Sequence, residues 1–358
     1  MPSETKAEKA AAPGKELRDS LIQYIALAVV SWLIMYLVPP DLLFTVYIPA
    51  SFWVLSFCVV LIVLGGGWPL APPAGRWKPG MSRAIPGIGM TVIYVVLVVI
   101  ANLIALYVWP RLPLFPDWLY IGVTLFIVSV WYALDWGAWP FAGRVPAWAN
   151  AIIGASIIYI ITGIVYNVFV RLLGVPPGWW FGFIVWTFVW VQALGNVLTM
   201  QSYPYAKLGQ PASGITITLL AVLLGYVCWN LGLTIGIEPT AWFAAIGAPL
   251  IGWTLVHPLS FKWWPFTKYK QCKRGILSFL FEILLTAIFA AICQVILMPI
   301  MGRVTAAGLA FPPNVNVLTA LYFLHFIAPL FLLHTFFWLR APLSPLSPPG
   351  TPPPEEGR

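Results

Sequence analysis

Charge is scarce in this sequence. Asp, Glu, Lys and Arg make up 8% of its 358 residues, against 61% that are hydrophobic. Soluble domains carry about 25% charge, so water is not the main solvent of this chain. Long polar stretches are missing except at the two ends. That leaves no room for a soluble catalytic domain, and no folded basic domain to hold nucleic acid, although the formal net charge is +8. The four cysteines, Cys58, Cys228, Cys272 and Cys293, contain no C-x-x-C pair. They read as packing residues, so neither a disulfide framework nor a metal cluster is expected, and no cofactor is predicted. The phosphate-binding G-x-x-x-x-G-K-[ST], the zinc-binding H-E-x-x-H and the nucleophile elbow G-x-S-x-G are all absent. No catalytic residue is assigned.

What is present is apolar length. A bilayer core is about 30 Å thick and takes about 20 apolar residues as a helix. Ten such runs are predicted, at 20–38, 48–66, 87–109, 118–137, 148–171, 179–200, 214–235, 240–258, 276–300 and 317–339. Runs such as "ILSFLFEILLTAIFAAICQVILMPI" do not alternate apolar with polar, as strands of a membrane barrel do. The expected fold class is an all-α polytopic membrane protein. Residues 1–19 form a polar tail without a signal-peptide core or cleavage site, so the first run is expected to be retained. Residues 20–340 form the transmembrane domain, and 341–358 a Pro-rich tail that stays extended.

Sixteen of the nineteen Lys and Arg fall on one side of this ten-span scheme. The positive-inside bias then puts both termini and the even-numbered turns in the cytoplasm of a cell inner (plasma) membrane protein.

Those turns repeat a phrase. "YPYAKLGQPASG" begins at Tyr203 and "WPFTKYKQCKRG" at Trp264, with aromatic, Pro, aromatic, Lys, Gln and Gly at the same spacing. "WPFAGRVPAWAN" at Trp139 and "WPLAPPAGRWKPG" at Trp68 keep the aromatic-Pro start, and the four anchors lie 71, 64 and 61 residues apart. Periods of this length suggest duplicated helical hairpins, each with one cytoplasmic turn. The aromatic suits the headgroup level, Pro stops the helix, and Lys207 and Lys268 suit anionic headgroups. Gln210 and Gln271 are left over by that anchoring account.

Polar groups inside spans are costly and carry what functional signal there is. Glu282 is the one acid well inside a span, with Thr286 and Cys293 on its face. It reads either as a proton- or cation-handling group or as a carboxyl bonded to a neighbouring helix. Asp135 sits at a span end. His325 and His334 lie nine residues apart on opposite faces of one helix, while His257 lies at a depth comparable with His334, which leaves a bis-His haem across two spans as a geometric option. Gln192 and Asn196 are one turn apart and suit a polar interior. Asn102, Asn167, Asn230 and Gln294 recur 27 to 34 residues after the four anchors. They are expected either as a carboxamide layer round a central cavity or as interhelical glue. Of the twenty Trp, many mark span ends as an interfacial belt. Trp131, Trp186, Trp190, Trp229 and Trp253 lie deeper and suit an apolar, aromatic or ammonium solute.

The functional expectation is a transporter or permease for a small organic solute, apolar or weakly polar. The alternatives are a non-catalytic anchor or scaffold subunit of a membrane complex, and an intramembrane enzyme acting on lipid. The expected partners are the bilayer and a second copy or a membrane-complex subunit, and no nucleic acid.

Overall fold

The computed structural model describes residues 13–60, 64–65, 84–104, 107, 118–195, 198–338 and 340–343. The turn at Trp68, Asn196 and most of both tails lie outside the described residues. All the regular elements described are helical: α1 (Pro13–Leu37), α2 (Ile48–Val59), α3 (Ala84–Leu103), α4 (Trp118–Leu134), α5 (Ala147–Leu172), α6 (Pro177–Leu194), α7 (Ala212–Thr234), α8 (Ala241–Phe261), α9 (Gln271–Ile296), the short α10 (Met298–Ala306) and α11 (Val315–Phe337). Six helices are long and apolar enough to cross a membrane: α5, α7, α8, α9, α11 and, from Lys15 onward, α1. The chain is a helical protein of the membrane class. Shorter apolar helices lie within α2, α3 and α4. Glu238 and Pro239 separate α7 from α8.

Burial sorts these helices into two layers. About three-quarters of α8 and α11 is buried (78% and 72%), against 22% of α1 and α5 and 33% of α7 and α9. The buried helices form a ring: α2 packs on α4, α4 on α6, α6 on α8, α8 on α11, and α11 returns to α2. Outside it, α3 lies on α2, α5 on α4, α7 on α6, α9 on α8, and α1 on α8 and α11. The outer helices leave large aliphatic side chains uncovered, such as Leu219 and Leu223 on α7 and Leu280 and Leu284 on α9. A bilayer leaves such a face no worse off than a protein neighbour would.

Close approach needs glycine at several helix contacts, of which two are described. A Cβ at Gly225 of α7 would lie 2.6 Å from the Thr187 backbone of α6. One at Gly252 of α8 would lie 1.9 Å from the Phe323 ring of α11. Neither contact admits a methyl group without displacement.

The turns at Trp139, Tyr203 and Trp264 share one backbone path. Each aromatic is joined to its Pro by a cis peptide, and the two residues before it have positive φ: Gly137 and Ala138, Gln201 and Ser202, Lys262 and Trp263. The aromatic N–H donates three residues back, to Trp136, Met200 and Phe261, at 2.9 to 3.0 Å. The end of α11 repeats the path: Arg340 has positive φ, Ala341–Pro342 is cis, and the Ala341 N–H donates to Trp338 at 2.9 Å.

Candidate functional site

A cavity of about 540 Å³ lies between the inner helices. All five inner helices line it: Phe52 from α2, Phe126 from α4, Phe188 from α6, Ile251 from α8 and Leu324 from α11. The exposed lining residues Gly178, Pro239 and Pro313 mark its mouth, opposite the aromatic-Pro turns, with Trp179, Thr240 and Phe311 beside them. The volume falls within the roughly 300–1,000 Å³ of small-molecule pockets. The described lining is almost entirely hydrocarbon, and among the described residues it contains no Asp, Glu, Lys or Arg.

Two polar atoms in that lining are buried and unpartnered, His325 Nε2 and Trp229 Nε1. His325 is 1% exposed and sits in a π-helical segment of α11, Tyr322–Ile327. Such widened turns often mark functional positions. Its ring stands edge-on to Phe52 at 4.1 Å, its Nδ1 meets Ser51 Oγ, and its carbonyl accepts from Tyr47 at 2.7 Å.

Glu282 is fully buried and outside this cavity. Its Oε1 lies 2.8 Å from His257 Nδ1, and Thr199 Oγ1 donates to the carboxylate at 2.9 to 3.0 Å. His257 Nε2 meets the Trp264 carbonyl at 2.8 Å, so the group ties α9 to the 264 turn. Thr286 and Cys293 are buried on the same face. His334 is held in the same manner: Nε2 to the Ala341 carbonyl at 2.9 Å, and Nδ1 to Gln23 Nε2 of α1 at 2.9 Å. Ser260 donates to Gln23 Oε1 at 3.2 Å, as Thr199 donates to Glu282. Both ring nitrogens of His257 and of His334 therefore have protein partners.

The carboxamide layer expected round a cavity is overturned. Asn102, Asn167 and Asn230 each donate to the carbonyl four residues back, Val98, Gly163 and Tyr226, at 2.7 to 2.8 Å. Gln294 is exposed and donates to Asn316 at 3.0 Å. None of the four lines the central cavity. A helix can absorb its own Asn side chain in this way, so no neighbouring helix is needed. Gln192 is buried but accepts from Thr254 of α8 at 2.9 Å, away from the cavity. Trp186 packs on Trp242 at 4.3 Å, and Trp253 on Tyr24 at 4.8 Å. Neither reaches the cavity; Trp229 does.

The leftover glutamines find their purpose in the turns. Gln210 Nε2 donates to the Asp135 carbonyl at 2.7 Å, and its Oε1 accepts from the Gly214 N–H at 3.1 Å. Gln271 Nε2 donates to the Met200 carbonyl at 2.9 Å. Each stitches its own helix start to the preceding aromatic-Pro turn. Trp139 is half-buried, whereas Tyr203 and Trp264 are 38% and 48% exposed. Lys207 and Lys268 project outward, with Lys268 over Tyr269 at 5.4 Å.

No family model, curated protein or solved structure matches this chain.

Proposed function

We propose that the chain is a multi-pass permease for a small organic solute, apolar or weakly polar, and that the central cavity is part of the solute's path. The observation that carries this reading is an apolar cavity lined by all five inner helices, with exposed lining residues at one end of the bundle. A scaffold subunit has no need of such a space, and filling it would stabilise a purely structural core.

The reading includes ten spans paired as hairpins, α2 with α3, α4 with α5, α6 with α7 and α8 with α9. Gln23 stands to His334 and Ser260 as Glu282 stands to His257 and Thr199, so α1 serves α11 as its outer helix and closes the ring. The charge bias supports an inner-membrane placement with both termini cytoplasmic. The mouth then faces away from the cytoplasm.

Ala248 lines the cavity and is 2% exposed. Ala248→Trp should fill the space and lower solute flux in proteoliposomes at least about tenfold, while thermal stability is kept or raised. Undiminished flux with a filled cavity would remove the cavity from the path and sink the proposal.

A further inference from the structure

Ser51 Oγ lies 2.8 Å from the Ile48 carbonyl and also meets His325 Nδ1. With the hydroxyl proton on that carbonyl, only lone pairs face Nδ1. The ring then carries its hydrogen on Nδ1, and Nε2 presents a bare lone pair. That atom is buried without a partner, in a ring that lines the cavity and is 1% exposed. A buried acceptor left without a donor is costly. The ring lies ten residues into α11 from Val315, about 15 Å along the helix from its mouth end.

We propose that the cavity takes an apolar molecule bearing one hydroxyl, an alcohol or a phenol, and that this hydroxyl donates to His325 Nε2. The proposal rests on the reading of the cavity as a solute site. The alternatives fail on the lining. An ammonium group would meet no acid there, since the described lining has none. A carboxylate brings a negative charge that no cation among the described lining residues offsets, and no proton for Nε2. A pure hydrocarbon fills the space but leaves Nε2 unpaired. Because Tyr47 and Ser51 bind the His325 carbonyl and Nδ1, the ring is held in place before any ligand arrives.

The test compares decanol with its methyl ether, which keeps the oxygen and the chain but loses the donor. Binding to the protein in nanodiscs is measured by equilibrium competition, with uptake by empty nanodiscs subtracted. The protein should bind decanol about tenfold tighter than the ether, the worth of one hydrogen bond to a buried acceptor. His325→Leu should bind the two equally, with the ether's affinity kept. His325→Gln, whose carbonyl oxygen also accepts, should keep part of the preference. Equal binding of alcohol and ether by the unmodified protein overturns the proposal whatever the variants do, and so does a preference that survives in His325→Leu. If both bind equally and Ala248→Trp expels both, this inference falls while the cavity remains a solute site. If neither binds, both fall together.

Discussion

His257 and Glu282 hold one proton between Nδ1 and Oε1, 2.8 Å apart. His257 Nε2 faces a carbonyl, which only accepts, so that nitrogen carries its own hydrogen. One further proton lies between ring and carboxyl, and Thr199 donates to the remaining oxygen. The equivalent pair at the end of α11 replaces the acid with Gln23, whose amide donates to a neutral ring. Glu282→Gln should therefore reproduce an arrangement the protein already uses. We expect it to unfold within about 1 kcal/mol of the unmodified chain, and Glu282→Leu to lose about 2–5 kcal/mol through stranded partners. Thermal unfolding in detergent measures both. Equal stabilities for the two variants would show that the carboxyl does not hold the turn.

Gln210 and Gln271 each bridge neighbouring turns by one side chain. Their Ala variants should each cost about 1 kcal/mol, and the double variant the sum, since the two sites share no partner. A double-variant cycle on melting curves checks this, and strong coupling would mean that the turns act as one unit.

The α6–α7 contact predicts a sharp difference between glycines. Gly225→Ala places a methyl against the Thr187 backbone, which cannot yield as a side-chain tip can, and should cost about 1–3 kcal/mol. Gly302→Ala, in α10 with nothing within 4 Å, should instead gain about 0.5–1 kcal/mol from helix propensity. Melting temperatures shifting in opposite directions are the expected readout.

Glu238 opens α8 from the mouth side. Partial burial raises its carboxyl, but hydrogen bonds from Thr240, the Ala241 N–H and Asn316 outweigh this and hold it below its usual range. A depressed value contributes stability that is present above the unfolded pKa of about 4.3 and lost as pH falls through the lower folded value. A small decline in melting temperature from pH 5 to pH 3 should therefore be missing in Glu238→Gln. An identical decline in the variant would assign it to other acids.

Single cysteines at Lys207 and Lys268, in a background where the four native cysteines are replaced, should react with a membrane-impermeant reagent only after the cytoplasmic side is opened. Reaction from outside intact cells at either position would refute the orientation.

The helices were legible because a chain with so little charge and such long apolar runs can satisfy its backbone in a bilayer only as helices. The aromatic-Pro positions at Trp139, Tyr203 and Trp264 were legible as helix breaks. "WPF" and "YPY" at fixed spacing mark the places where the backbone takes one path, and the glutamines that the anchoring account left over are the ones that join those turns. The carboxamides misled because Asn in a helix has a local option, the carbonyl four residues back, which spacing along the chain does not distinguish from a neighbouring helix. His325 was seen only as one of three histidines. Its significance depends on Ser51 and Phe52, which lie more than 270 positions earlier.

Composition and apolar run length by themselves determined the membrane class and the helices, because each follows from groups near in sequence meeting water or lipid. Only the tertiary structure decided which helices form the inner ring, that a cavity lies between them, and which polar atoms in its lining are left unpartnered. In a membrane protein inner and outer helices are both apolar, so hydropathy does not separate them. The separation comes from packing, through close approaches such as Gly252 on Phe323, and packing exists only once distant helices have met.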